Sequence, residues 1–190
     1  MSDVVRRAFL NRHNELRSQL ATGTAVNGQN GGKTRPAKNM TKLVYDCELE
    51  KAAYERARLC ENFTPEDPKI LKENYYSFNK NLTRPLEQYA KLATQVWWSE
   101  LSRTGLNQTL NLFYTHLGIS HFAKIGSDLT TKVGCGIYNC TSTINAVCLY
   151  ETGLKHAYRL YAPAVKPCRE CGDDKCANGL CPATVEGAKL

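Results

Sequence analysis

The sequence lacks several features that would place it in other classes of protein. None of its apolar runs approaches the ~18–20 residues that a membrane-spanning helix needs, so no span is predicted. Paired CxxC motifs of the kind that bind zinc are missing. The sequence also lacks C2H2 finger spacing and the aromatic signature of RNA-binding domains, so nucleic-acid binding is not predicted. The first residues, Met1-Ser2-Asp3, have no basic stretch followed by an apolar one. We therefore expect that any signal peptide has already been removed.

The composition is that of a globular chain. Hydrophobic residues make up 42% of the 190 residues and charged residues 23%, close to the average for folded soluble domains. The formal net charge of +7 comes from Lys and Arg spread in short groups, which is typical of a solvated surface. A charge of this sign is also compatible with attraction to glycans or to a cell surface.

Cysteines and glycosylation sequons together indicate an extracellular protein. Nine cysteines are many for a chain of this length, and a disulfide framework explains them better than a zinc site. Asn-X-Ser/Thr sequons, which are read only in the secretory pathway, occur at Asn39, Asn62, Asn81, Asn107 and Asn139. A secreted, disulfide-bonded glycoprotein is predicted, and the odd cysteine count leaves one thiol without a partner inside the chain.

Hydrophobic periodicity predicts helices in the first half and strands in the second. Helices are expected from Asp3, from Asp46, from Pro85 and over 115–125, and strands over 132–139, 143–150 and 158–161. Residues 22–39 and 61–84 are predicted to be a long loop and an irregular connection, both suited to carrying function. Helices followed by an antiparallel sheet indicate an α+β fold. The Cys-, Gly- and Pro-rich stretch 163–190 is predicted to be a small stapled appendage to a domain over 1–162.

One carboxylate stands where an apolar residue is expected. On the third helix Glu100 shares the apolar face of Ala93 and Trp97, which places an acid toward the core.

Six strings then carry a family resemblance. They are Arg12-His13-Asn14-Glu15-Leu16-Arg17, Tyr45-Asp46-Cys47-Glu48, Lys72-Glu73-Asn74, Val96-Trp97-Trp98-Ser99-Glu100-Leu101, His121-Phe122 and Val133-Gly134-Cys135-Gly136. In this order the chain resembles the CAP superfamily (cysteine-rich secretory protein, antigen 5, pathogenesis-related 1; SCP/TAPS). Within it, the chain is most similar to the Ancylostoma-secreted, activation-associated proteins of parasitic nematodes and their divergent hookworm branch. The resemblance implies a three-layer α-β-α sandwich with a central antiparallel sheet.

The resemblance also implies a central cleft that usually holds two histidines and two acids. Glu73, Glu100 and His121 match three of these positions and are expected to meet as a cleft network. The fourth position, a histidine that follows the second-helix cysteine, has no counterpart in the string from Cys60 to Pro65. With one imidazole and two carboxylates, neither zinc nor any other cofactor is predicted. A polar network that ties a loop to a helix is the favoured interpretation of the three residues.

Several functions follow from the resemblance. The first is a secreted, non-enzymatic modulator of host defence that binds a host cell-surface protein, such as a leukocyte or platelet integrin. No Arg-Gly-Asp or Lys-Gly-Asp string supports a disintegrin-type loop. The alternative is a lipid or sterol carrier, and a hydrolase with Ser99 or Ser120 beside His121 is the least favoured. A monomer or weak dimer is expected. His13 and His156 have no ligand-type neighbours and are predicted to be surface or capping histidines.

The superfamily pattern implies the disulfides. It pairs Cys60 with Cys140 and Cys135 with Cys148. The four tail cysteines allow three connectivities, of which Cys168–Cys176 with Cys171–Cys181 is preferred. Cys47 is left over: related nematode proteins carry a further cysteine just before the point where this sequence begins, so Cys47 is expected to have lost that partner or to pair outside the chain.

Overall fold

The computed structural model describes residues 1–65, 67, 71–80 and 84–183 of the chain. In these residues, four α-helices and six strands follow one another in the order α1 (Asp3–Ala21), β1 (Val26–Asn27), β2 (Gly32–Lys33), β3 (Val44–Tyr45), α2 (Cys47–Ala57), β4 (Glu73–Asn79), α3 (Leu86–Thr104), α4 (Ser120–Gly126), β5 (Thr130–Asn139) and β6 (Thr143–Thr152). None of the helices within these residues combines the length and apolar character needed to cross a membrane.

The main sheet has the strand order β3-β5-β6-β4. Strand β6 pairs antiparallel with both of its neighbours, with Cys135 opposite Cys148 and Glu73 opposite Leu149. The two-residue strand β3 adds a parallel edge to an otherwise antiparallel sheet. Helix α2 covers one face of the sheet, while α1, α3 and α4 pack on the other. The predicted α+β class and three-layer sandwich are therefore confirmed.

Local sequence explains where the helices begin. The Ser2 side chain accepts a hydrogen bond from the Val5 N–H, which caps α1, and the Asp46 carboxylate caps α2 through the N–H groups of Glu48 and Leu49. Pro85 immediately precedes α3, where its missing N–H costs no helical hydrogen bond.

The two faces of the sheet are packed differently. The α1/α3/α4 face carries the large core, which includes Phe9, Trp97 and Phe122. On the α2 face the helix lies almost against the strand backbone. A methyl group on Gly136 would come within 2.4 Å of Tyr54 Cα, and one on Gly134 within 2.3 Å of the Glu50 nitrogen. Glycine is required at both strand positions because no other residue leaves room for α2.

A charged side chain lies inside the large core. Arg17 of α1 is fully buried, and its guanidinium donates hydrogen bonds to the carbonyls of Thr41, Ile125, Ser127 and Thr130 at 2.7–3.4 Å. These carbonyls belong to the loop before β3 and to the segment from α4 into β5. Arg17 thus joins three parts of the chain through a single side chain.

The connecting segments differ from expectation in four places. The interval 61–84, predicted to be irregular, contains the seven-residue strand β4. Residues 158–161 form no strand; they are held by an isolated bridge between Leu112 and Arg159 and by the Leu160 N–H bonding to the Asn111 carbonyl. The helix expected over 115–125 is divided into a 3-10 turn, Thr115–Leu117, and α4. The glycine-rich loop contains the small β1–β2 hairpin.

The disulfides of the structure are Cys60–Cys140, Cys135–Cys148, Cys168–Cys176 and Cys171–Cys181, and Cys47 is free and exposed. The described part of the tail, 163–183, lies against residues 36–42. Backbone bonds run from Ala164 to Pro36, from Arg169 to Lys38 and between Cys181 and both Met40 and Lys42. The tail is therefore fastened to the body by main-chain groups.

Candidate functional site

Glu100 and His121 meet where α3 passes the start of α4. The Glu100 Oε1 atom lies 2.6 Å from His121 Nδ1, while Oε2 accepts the backbone N–H groups of His121 and Phe122 at 2.9 Å. The first N–H groups of a helix have no partner within the helix, and an acid there also complements the helix dipole. Glu100 therefore caps α4 from another element, which explains a carboxylate on the apolar face of α3.

Glu73, the third predicted member, has a different partner. Its side chain is almost fully buried, and its two oxygens accept hydrogen bonds from Arg56 of α2 at 2.7 and 3.1 Å. The following residue, Asn74, points to the opposite face, where its amide donates to the His121 carbonyl at 3.0 Å. Strand alternation thus separates the Glu73 carboxylate from the Glu100–His121 pair, although β4 contacts the His121 backbone.

An aromatic stack occupies the segment in which the superfamily histidine is missing. The Phe63 ring stacks on Tyr75 with centroids 3.7 Å apart, and the Arg56 guanidinium lies 4.6 Å from the Phe63 centroid. Arg56 also donates to the Thr64 carbonyl at 2.7 Å. Here Glu73 is neutralised by a guanidinium from within the chain, in an arrangement that ties α2 to β4.

His13 is not the surface or capping histidine that was predicted. It is fully buried, with Nδ1 2.9 Å from the Phe9 carbonyl and Nε2 2.8 Å from the Tyr150 hydroxyl. Because a carbonyl only accepts, Nδ1 carries the proton and Nε2 accepts from Tyr150. The same hydroxyl accepts from Asn74, which connects His13 to the cleft. Burial lowers the pKa of His13 to about 4. His156 is exposed, with Nδ1 3.1 Å from the Thr115 hydroxyl.

The donor set does not fit a bound metal. Zinc requires three or four convergent ligands, whereas Glu100 is engaged with His121 and two backbone N–H groups, and Glu73 is bound by Arg56. Among the described residues, the sole cluster of three potential ligand atoms consists of Cys168, Cys171 and Cys181. Their sulfurs are in disulfides and are not thiolates.

The arrangement also does not form a catalytic triad. Glu100 and His121 resemble the base and its orienting acid, but Ser99 donates to the Val96 carbonyl of its own helix at 2.7 Å. Within the described residues, no hydroxyl forms a hydrogen bond to His121 Nε2. A nucleophile aligned with its base is the geometric requirement that is not met here.

Four predicted glycosylation sites lie at accessible positions. Asn62, Asn107 and Asn139 are exposed and Asn39 is half-buried, while Asn81 falls outside the described residues. Their occupancy stays a prediction.

Comparison with known sequences extends these observations. The model of the cysteine-rich secretory protein family (CAP) matches residues 10–150. The Ancylostoma secreted protein of Ancylostoma caninum is 33% identical over 96% of this chain, which spans 45% of that protein's length. Hookworm platelet inhibitor 1 of the same organism is 28% identical over 91% of this chain and 76% of its own length.

Solved structures agree with the sequence relatives. Na-ASP-1 superposes with a TM-score of 0.83 at 32% identity, covering 95% of this chain and 47% of its own. NaASP2, solved with Zn²⁺, gives the same TM-score at 31% identity and covers 95% and 96%. The chain thus spans about half the length of the Ancylostoma secreted protein and of Na-ASP-1, and nearly all of NaASP2. With a family model matched over most of its length and relatives above 30% identity, the chain belongs to the cysteine-rich secretory protein (CAP) family.

Proposed function

We propose that this chain is a secreted, non-enzymatic protein that binds a host cell-surface component and modulates host defence, acting on an adhesion receptor of leukocytes or platelets. The relatives named as an Ancylostoma secreted protein and a hookworm platelet inhibitor support secretion and action on a host. The four disulfides and the exposed sequons suit an extracellular protein.

The observation that carries the non-enzymatic part is that both carboxylates predicted for the cleft are engaged in structural contacts. Glu100 caps α4 and Glu73 pairs with Arg56, so both acids have structural roles where a reaction or a metal would need them free. A buried acid with satisfied hydrogen bonds stabilises the fold and is a poor general base toward a substrate. Binding is therefore assigned to the surface loops, which are under fewer packing constraints.

The lipid-carrier alternative gains no support from the cavity beside α1. This cavity, about 580 Å³, lies between α1 and the tail, and it is lined by polar residues such as Asn11, Gln19 and Asn178. A carrier site for an acyl chain or sterol is expected to be enclosed and apolar.

His121→Asn tests the proposal with little disturbance of the fold, because 41% of the histidine side chain is exposed and Asn retains a donor toward Glu100. His156→Asn, at another exposed histidine, is the matched control. Each purified protein is used to capture receptors from platelet and leukocyte membranes, and its organic extract is analysed by mass spectrometry.

We expect both variants to capture the same membrane protein within a few-fold of the unchanged chain. Loss of capture in His121→Asn alone, with the circular dichroism spectrum unchanged, would show that receptor binding depends on the cleft. A stoichiometric lipid in the extract, without receptor capture, would favour the carrier.

A further inference from the structure

The positive charge of the chain is concentrated in three segments that contain no acidic residue. Residues 22–45, 101–127 and 152–169 together hold ten of the 25 Lys and Arg residues and none of the 18 Asp and Glu. The rest of the sequence therefore has 15 basic and 18 acidic residues. The net charge of +7 thus has its source in these three segments, a separation that composition alone does not show.

The fold brings the three segments together. The Lys38 N–H bonds to the Ala162 carbonyl at 2.7 Å, and the Leu160 N–H bonds to the Asn111 carbonyl at 2.8 Å. The Tyr161 hydroxyl donates to the Arg35 carbonyl at 3.0 Å. Segments far apart in sequence are neighbours here along their backbones, which brings the first and third segments into one region of the fold. We call the exposed cations of these two segments, Arg35, Lys155, Arg159 and Arg169, the basic strip.

Within the part of the chain that the structure describes, the cations of the basic strip form no ion pairs. Nearby, Lys38 is paired with Glu170 at 2.6 Å and Lys166 with Asp173 at 3.6 Å. None of the four strip residues has a carboxylate within 4.0 Å among the residues that the structure describes. Asp128, which accepts the Ala162 N–H, is the acid whose charge interacts with Arg159. The strip therefore presents several uncompensated charges to solvent.

We infer that the basic strip binds linear sulfated glycan chains. Three of its four cations are arginines, whose planar guanidinium groups match the paired oxygens of sulfate better than an ammonium does. A flexible polyanion lying across an open surface requires no deep pocket. Single-stranded nucleic acid, in contrast, is bound through exposed rings on which bases stack, and at Tyr158 the Lys155 ammonium lies 5.8 Å from the ring centroid.

This inference goes beyond the proposed function, since it concerns attachment to the polysaccharide of a surface and not a protein receptor. The test uses purified components alone, so failure to find a receptor does not affect it. Binding of the protein to immobilised heparin is measured at 0.05–0.3 M NaCl. The strip variant is Arg35→Gln/Arg159→Gln/Arg169→Gln. Its control, Arg7→Gln/Lys51→Gln/Lys91→Gln, removes the same charge from exposed positions elsewhere.

We expect the strip variant to bind at least about tenfold more weakly at 0.15 M NaCl and with a shallower salt dependence, because three counterion-releasing contacts are lost. The control should stay within about threefold, as only the long-range field changes. Equal weakening in both variants would reduce the effect to net charge and overturn the assignment. Absence of binding by the unchanged protein at 0.15 M, or stronger binding to DNA than to heparin, would overturn it as well.

Discussion

The two faces of the sheet have opposite kinds of packing. The α1/α3/α4 face is filled by large side chains and contains a buried polar group made of His13, Arg17 and Asn74. The α2 face has a small cluster of Ala53, Ala57 and Val147, and the helix approaches the backbone of β5 at two glycines. The stability of the first face depends on hydrogen bonds to polar groups inside a thick core. The stability of the second depends on glycines that leave room for α2 beside the strand. Different substitutions should therefore break each face.

Arg17→Met should have the largest effect, at the first face. The thioether fills part of the volume but leaves four carbonyls, from two segments, without their donor, and we expect a loss of about 4 kcal/mol in the free energy of unfolding. Urea denaturation at pH 7 measures it. Arg7→Met, at an exposed position on the same helix, is the control and should change stability by less than ~0.5 kcal/mol. A loss below ~1 kcal/mol for Arg17→Met would show that water replaces the guanidinium.

Gly136→Ala tests the second face. The new methyl group would lie 2.4 Å from Tyr54 Cα, so α2 must move outward, and we expect a loss of about 3 kcal/mol. Gly153→Ala is the matched control, because its nearest contact is the Leu129 Cβ at 3.8 Å. Thermal melts of the two variants should therefore differ by several degrees. Equal melting temperatures would mean that α2 is not held against the strand.

Acid should weaken the first face through His13. Its folded pKa of about 4 lies below the ordinary value of 6.5, so the unfolded chain binds the extra proton first as the pH falls. The stabilisation is complete above pH 6.5 and is lost between about 6.5 and 4, with about 2 kcal/mol gone by pH 5. Comparing the pH dependence of unfolding with that of His13→Gln isolates this contribution. The exposed His156→Gln should keep the slope of the unchanged protein, and an equal slope in His13→Gln would contradict the assignment.

Cys47→Ser should have the smallest effect. Cys47 is the first residue of α2 and is exposed, so the change should alter stability by less than ~0.5 kcal/mol. Maleimide labelling of the unreduced protein should modify one thiol in the unchanged chain and none in Cys47→Ser. A second labelled site would mean that one of the four disulfides is open.

Periodicity predicted the helices and the β5–β6 pair because their buried residues recur regularly along the sequence. Strand β4 was missed although Tyr75, Tyr76 and Phe78 are good strand formers, because Pro and Asn residues around them favoured a loop. The prediction of a strand at 158–161 was wrong, because the backbone of this segment bonds to the loop at Leu112 and not to the sheet. For long connections, local propensity was a poor guide to which backbone partner the fold would provide.

The candidate site shows a similar limit. Glu100 was found because it interrupts an apolar face, and His13 and Arg17 interrupt the apolar face of α1 in the same way. The same interruption of an apolar face therefore marks both residues in the sequence as buried polar groups. The Arg56–Glu73 pair gave no such signal, because its partners lie 17 residues apart on elements that meet only through the fold. Pairing of this kind follows from tertiary structure alone.

The tail is attached to the body through its backbone, so the outer surface of the tail can change in evolution without loss of that attachment. Main-chain groups bind residues 164–181 to residues 36–42, and two disulfides close the tail on itself. Side chains that project outward from it, such as Lys166, Arg169 and Lys175, take little part in that attachment. A lineage can therefore exchange charge and shape on the tail, one residue at a time, while the position of the backbone stays the same.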